Sequence, residues 1–408
     1  MSSATLEAPA TESEQQEATE LSPLDFVATE PEFRFEAIAP CPVPWRHPLK
    51  FTAWLSDLVF GLGSLLLFLS VLAAVPPLNF LALGYLLEAE GRVARTGRIA
   101  VCLPLLPLAS RLGSIAFGLW LWLLPIRWLS DAAADAAIIA PGSGNAVVWL
   151  VASRVVAVLV TAHLLLALAR GGGLGTFLRP LKNLLWFRRQ LREGEYWQTA
   201  HAAVRDFFRA LQIPYHFILG LKGFTAAFVW LAIPTALFAV LQDPAKPGQV
   251  LLTLLGGVLL IPVLAGTPFL QARLAAEGRL RAGFDLKIIR ESFCRAPLGQ
   301  FSALIVLYAL SLPLYLFKIA VLPRDAVWLE TPIFIASIYP ARILIGWAYG
   351  CSVRRTTRSW KLLRWSLSLL LVPLLGFYVF LLFFTPSIGA YGRRVLFEHH
   401  ALLLPSPF

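Results

Sequence analysis

Long stretches almost free of charge, set apart by arginine-dense loops, constrain this chain more than any other feature. Crossing about 30 Å of hydrocarbon takes about 20 helical residues. Residues 55–87, 112–129, 146–168, 217–241, 250–269, 301–319, 332–349 and 367–384 reach or approach that length. Only helices satisfy their own backbone polar groups along such continuous runs. The period-two alternation of barrel strands is absent from them. The expected fold is all-α, a polytopic membrane helix bundle of about seven or eight transmembrane helices. Composition agrees: 58% of the 408 residues are hydrophobic and 14% charged, where a soluble domain carries about 25% charge.

Loop charge sets the expected orientation. Arg92, Arg95 and Arg98 follow the first run. Arg170, Arg179, Lys182, Arg188, Arg189, Arg192, Arg205 and Arg209 fill the connection before residue 217. A third basic loop holds Arg273, Arg279, Arg281, Lys287, Arg290 and Arg295, and a fourth holds Arg354, Arg355, Arg358, Lys361 and Arg364. The alternate connections, 130–145, 242–249 and 322–331, are short and poor in cations. The basic loops are therefore expected on the cytoplasmic side of a bacterial cell membrane. The net charge of +11 points to an anionic lipid leaflet, where each surface Lys or Arg contributes about 1 kcal/mol. Nucleic acid is disfavoured as a partner, because the cations sit between apolar spans and form no separate domain.

Three regions follow. Residues 1–44 read as a disordered acidic tail rich in Glu, Ser, Ala and Pro. Within it Leu24, Phe26, Phe33 and Phe35 fit either a docking peptide for a protein partner or a plain solvated tail. Residues 45–384 form the membrane domain and 385–408 a C-terminal tail. Pro76-Pro77 divides the first run. Either 55–87 is one kinked span or the chain reverses there as a hairpin; the hairpin leaves the acidic tail beside Arg46 and Lys50.

Two loop segments carry a helical apolar stripe. Trp197, Ala200, Val204, Phe207, Phe208 and Leu211 share one face, with Arg205 and Arg209 flanking it. Phe284, Ile288, Ile289 and Phe293 repeat the pattern. Such helices seat in a membrane interface or pack on the ends of their own bundle. The two segments also echo each other. Arg205-Asp206-Phe207-Phe208 precedes Pro214 and a span, and Arg290-Glu291-Ser292-Phe293 precedes Pro297 and a span. Ala89-Glu90-Gly91-Arg92 is matched by Ala276-Glu277-Gly278-Arg279.

Two motifs carry a resemblance. Pro76-Pro77-Leu78-Asn79-Phe80-Leu81-Ala82-Leu83-Gly84-Tyr85 closes the first apolar run, and Gly278-Arg279-Leu280-Arg281-Ala282-Gly283-Phe284-Asp285 precedes a later span. Over about half the chain, between Trp45 and Ala303, the sequence resembles an uncharacterised family of prokaryotic multi-pass membrane proteins. That resemblance implies a helical membrane fold and brings no catalytic residues.

Ionisable residues inside spans are costly and mark candidate sites. Arg154 lies near mid-span and is expected to face the bundle interior; His163 is expected to be a hydrogen-bonded packing residue. Lys222 and Arg342 are expected to snorkel to the basic boundary. Deep carboxylates are missing from the runs, which disfavours a proton- or sodium-coupled pump. Glu90 and Glu277 are expected to pair with arginines on their own helices. Arg154, Lys222, Arg342, Arg188, Arg189 and Arg192 are the candidate contacts for an anion or a lipid headgroup. The four cysteines form no CxxC pair, and His399-His400 lacks further ligands for a metal. No activated nucleophile stands out, and no cofactor is implied. The sequence reads first as a non-enzymatic, lipid-interacting or complex-organising membrane protein. The alternative is a permease for an anionic or amphiphilic solute built around Arg154.

Overall fold

The computed structural model describes residues 40–318 and 327–405. The acidic stretch and its aromatic residues fall outside them. Among the described residues there are thirteen α-helices and no strand. They are α1 (Pro48–Ala74), α2 (Asn79–Thr96), α3 (Leu106–Ile139), α4 (Gly144–Ala169), α5 (Leu174–Phe177), α6 (Pro180–Glu193) and α7 (Tyr196–Ala210). Then come α8 (Ile213–Phe238), α9 (Pro247–Glu277), α10 (Leu286–Arg295), α11 (Pro297–Ser311), α12 (Val327–Arg354) and α13 (Lys361–Ile388). Eight helical stretches are long and apolar enough to cross a membrane: α1, α3, α4, α7–α8 together, α9, α11 with its 3-10 extension, α12 and α13. Their outward faces expose large apolar side chains such as Val158, Ile233, Leu254 and Leu369. The protein is an integral membrane helix bundle.

The chain reverses at Pro76-Pro77. Tyr85 donates its hydroxyl to the carbonyl of Pro104 at 2.6 Å, while a Cβ on Gly61 would lie 3.1 Å from Leu106 Cδ1. Straight continuation of α1 into α2 would set Gly61 and Tyr85 about 36 Å apart at 1.5 Å per residue. Neighbours only two residues apart in sequence cannot bridge that gap, so α1 and α2 form a hairpin. Leu65, Leu69 and Ala73 accordingly share one apolar cluster with Ala82, Tyr85 and Leu86.

The second arm of the hairpin is the centre of the fold. Helix α2 is buried from Ala82 through Gly91 without interruption. Its glycines let neighbouring backbones come close. A Cβ on Gly84 would collide with the carbonyl of His216, and one on Gly220 with that of Phe80, so α2 and α8 cross backbone to backbone and antiparallel. Gly346 meets Glu90 and Gly350 meets Ala94 in the same way, so α12 runs parallel to α2. Small residues at such crossings are the usual means of helix association in lipid.

Helices α2, α9 and α12 end together, and cations cap their unsatisfied carbonyls. Arg95 donates to Ala275 and Ala276 at 3.1 and 3.2 Å. Lys222 donates to Gly278 at 2.9 Å, and Arg354 to Ala94 at 3.5 Å. Glu88 binds Arg92 at 2.7 Å, Arg95 at 3.2 Å and the Tyr215 hydroxyl at 2.6 Å. Much of the basic character of this end is thus spent within the fold.

The segment after α13 is not a free tail. Residues Gly392–Phe397 make a 3-10 turn, after which His399, His400, Ala401, Leu402 and Leu403 are all buried. His399 bonds Thr235 of α8 at 2.9 Å. The Leu402 carbonyl accepts from Gln271 of α9 at 2.8 Å and from Arg342 of α12 at 3.3 Å.

The two amphipathic segments are helices α7 and α10. Each is followed by a span with proline in its first turn, so the first echo holds in structure. The second does not. Gly91 lies inside α2 against Ala275, whereas Gly278 ends α9 at φ +68°.

Candidate functional site

A groove of about 850 Å³ opens between α9, α10, α11 and α13, within the range of about 300–1,000 Å³ usual for ligand sites. Its long wall is apolar: Ile261, Ala265 and Phe269 on α9 face Leu371, Val372 and Leu375 on α13. Pro262 and Pro268 lie inside the continuous helix α9 here, and proline inside a helix removes a backbone bond and bends it. Gly266 keeps the wall low. No heavy atom lies within 4 Å of where its Cβ would sit.

The basic end of the groove is cationic. Arg290 of α10 and Lys361 and Arg364 of α13 line it, with Trp365, Gln300 and Ser368 beside them. Among the described residues no carboxylate lies within ion-pair distance of these three cations. The Arg364 Nε is buried and has no hydrogen-bond partner among the described residues. Trp365 is 77% exposed, which suits an interfacial anchor. Periodicity builds the lining. Leu286, Ile289, Arg290 and Phe293 share a face of α10, and Arg364, Ser368, Leu371 and Leu375 share a face of α13. An apolar trough ending in unpaired cations suits a molecule with an acyl body and an anionic head.

Comparison with protein-family models, curated proteins and solved structures finds no match to this chain.

The six candidate anion or lipid contacts from the sequence go to several places, none of them this groove. Arg154 is corrected: it is exposed on the outward face of α4, between exposed Val151, Val155 and Val158, and does not enter the bundle interior. Arg342 is also corrected. It does not snorkel; it is 2% exposed and bonds Glu90 at 3.1 Å. Glu90 therefore pairs across helices instead of within its own, and its carboxylate is fully buried. Glu277 behaves as expected, pairing with Arg273 on α9 at 2.7 Å. His163 is a packing residue, 3.0 Å from the Phe177 carbonyl and against Trp122.

Arg188, Arg189 and Arg192 stand exposed on α6. Arg189 pairs with Glu193 at 2.8 Å, and that hydrogen bond raises the guanidinium pKa. Leu181, Leu184, Leu185 and Leu191 are exposed on the same helix, as are Trp197, Val204 and Phe208 on α7. In sequence Lys361 and Arg364 counted only as loop cations, and Arg290 as a loop cation and part of the amphipathic echo. The available signal was Pro262 and Gly266, one helical turn apart, opposite the Arg364–Ser368–Leu371 stripe.

Proposed function

We propose that this integral membrane protein binds an anionic amphiphile of the phospholipid class in the groove between α9 and α13, and that it is not an enzyme. The observation carrying this reading is the union of an apolar trough with three cations at one end that have no carboxylate partner among the described residues. A phosphate or carboxylate head would neutralise charges that the protein itself leaves uncompensated. The basic end belongs at the cytoplasmic leaflet of a bacterial cell membrane, by the excess of arginine there. Helices α6 and α7 support the same placement: their apolar side chains are uncovered and flanked by Arg188, Arg192 and Arg205, the pattern of helices lying in a headgroup layer. Arg154, facing outward, lends no support to a solute path through the bundle.

Native mass spectrometry of detergent-solubilised protein tests the reading. The full chain should retain phosphatidylglycerol in preference to phosphatidylcholine. The triple variant Arg290→Gln, Lys361→Gln, Arg364→Gln should lose that preference, while Arg188→Gln, Arg189→Gln, Arg192→Gln should keep it. Equal retention of both lipids by the unsubstituted protein would sink the proposal.

A further inference from the structure

We propose that the centre of the bundle is a binding site for a short, leucine-rich peptide turn, and that residues 399–404 of this chain occupy it as an exchangeable ligand in cis. The site is separate from the lipid groove and does not depend on it.

Three observations point there. First, the backbone of this segment is not helical beyond Phe397, yet it lies buried among spans. Irregular backbone at such depth persists only where protein or water satisfies it. Second, donors from different helices converge on one peptide oxygen. Gln271 Nε2 and Arg342 Nη2 both donate to the Leu402 carbonyl, and Thr235 bonds the His399 ring. The two bonds to Leu402 read a peptide group, which any sequence can offer, whereas Thr235 reads the imidazole of His399. The side-chain contacts are apolar: Leu402 and Leu403 join the main core cluster, and Leu404 packs against the cluster of Leu87, Leu219 and Leu274. Third, hydrogen-bonding capacity is left over. Glu90 Oε1, Arg342 Nε and Gln271 Oε1 are buried without partners among the described residues. A core built only to be permanent would not carry so many open polar atoms, since each costs stability.

Charge defines the ligand further. Arg342 is already neutralised by Glu90, so an added anion would leave excess buried charge. An uncharged carbonyl fits. A partner's peptide with the same spacing of leucines therefore competes with the chain's own segment.

The test starts from folded protein. A protease site is placed in the turn between Ile388 and Gly392, the full-length protein is purified in detergent, and the turn is cut. A fluorescent synthetic peptide of residues 393–405 is then added. It should enter the cut protein saturably and stay out of the uncut one. A peptide with Leu402, Leu403 and Leu404 replaced by serine should enter about tenfold less well. Gln271→Leu should speed release of the bound peptide. Absence of uptake by folded, cut protein would mean a static core, and uptake of the serine peptide at the same level would mean nonspecific adsorption. Either result overturns the proposal, as does unfolding of the protein on cleavage.

Discussion

Arg342 of α12 donates from Nη1 to Oε2 of Glu90 on α2 at 3.1 Å, and the two side chains are 3% and 0% exposed. The pair joins helices that lie far apart in sequence and run parallel. Taking two charges out of water costs several kcal/mol per ion, and their attraction offsets this only as a pair. Removing one partner is therefore worse than removing both. Arg342→Met or Glu90→Leu alone should each lower stability by about 3–5 kcal/mol. The double variant should recover most of the loss. Unfolding in mixed detergent, read by tryptophan fluorescence, gives the double-mutant cycle. A double variant no better than the worse single one would mean that the loss does not come from leaving one charge of the pair unmatched.

Spans were legible in the sequence because hydrocarbon imposes a length, and the runs met it. The structure lengthens most of them, as for 112–129, which lies within the 34-residue helix Leu106–Ile139. Proline and glycine mark several of these ends, as at Pro247 and Gly278 on α9. What periodicity lacks is the identity of the facing helix. Arg342 lies within a few turns of a span end, which suits snorkelling equally well, and only α2 beside it makes the difference. Arg154 shows the converse, since a residue at mid-span has two faces to choose from and an almost uniformly apolar helix gives little cue. The return of residues 395–405 into the bundle was least legible. Leu402, Leu403 and Leu404 form too short a run to signal depth.

Gly266 offers a direct handle on the groove. A side chain there would meet open space, and replacing glycine in a helix interior gains up to about 1 kcal/mol of propensity. Gly266→Leu should leave the melting temperature unchanged or raised while filling the trough. Retention of phosphatidylglycerol should fall to the level of the Arg290, Lys361, Arg364 triple variant. Unchanged retention would place the lipid elsewhere.

Gly84 is the opposite case. Its Cβ position coincides with the His216 carbonyl, a backbone atom that cannot rotate away. Gly84→Ala must push α8 off α2, and overpacking of this kind costs about 1–3 kcal/mol. Gly63 is also on a helix, with nothing within 4 Å of its Cβ position. Gly63→Ala is the matched control and should be neutral or stabilising. Thermal unfolding of the two variants side by side should separate them, and equal stability would refute close packing at the α2–α8 crossing.

Asp285 supplies the pH dependence. Its Oδ2 lies 2.8 Å from Arg273 Nη1 at the basic end of α9, and the hydrogen bond from Arg273 holds its carboxyl below the usual carboxylate range. Between the lowered folded value and the unfolded value of about 4, the unfolded chain binds more protons. The contribution is therefore complete above the unfolded value and disappears as pH falls through the folded one. The carboxylate is 38% exposed, so solvent screening keeps the effect smaller than that of the Arg342–Glu90 pair. Asp285→Asn should lower the melting temperature at neutral pH, and the difference from the unsubstituted protein should shrink on acidification below about pH 4. Melting curves collected from neutral pH down to the lowest pH that keeps the detergent complex monodisperse would show this narrowing. A difference that stayed constant or widened toward acid would mean that Asp285 acts through packing rather than through its charge.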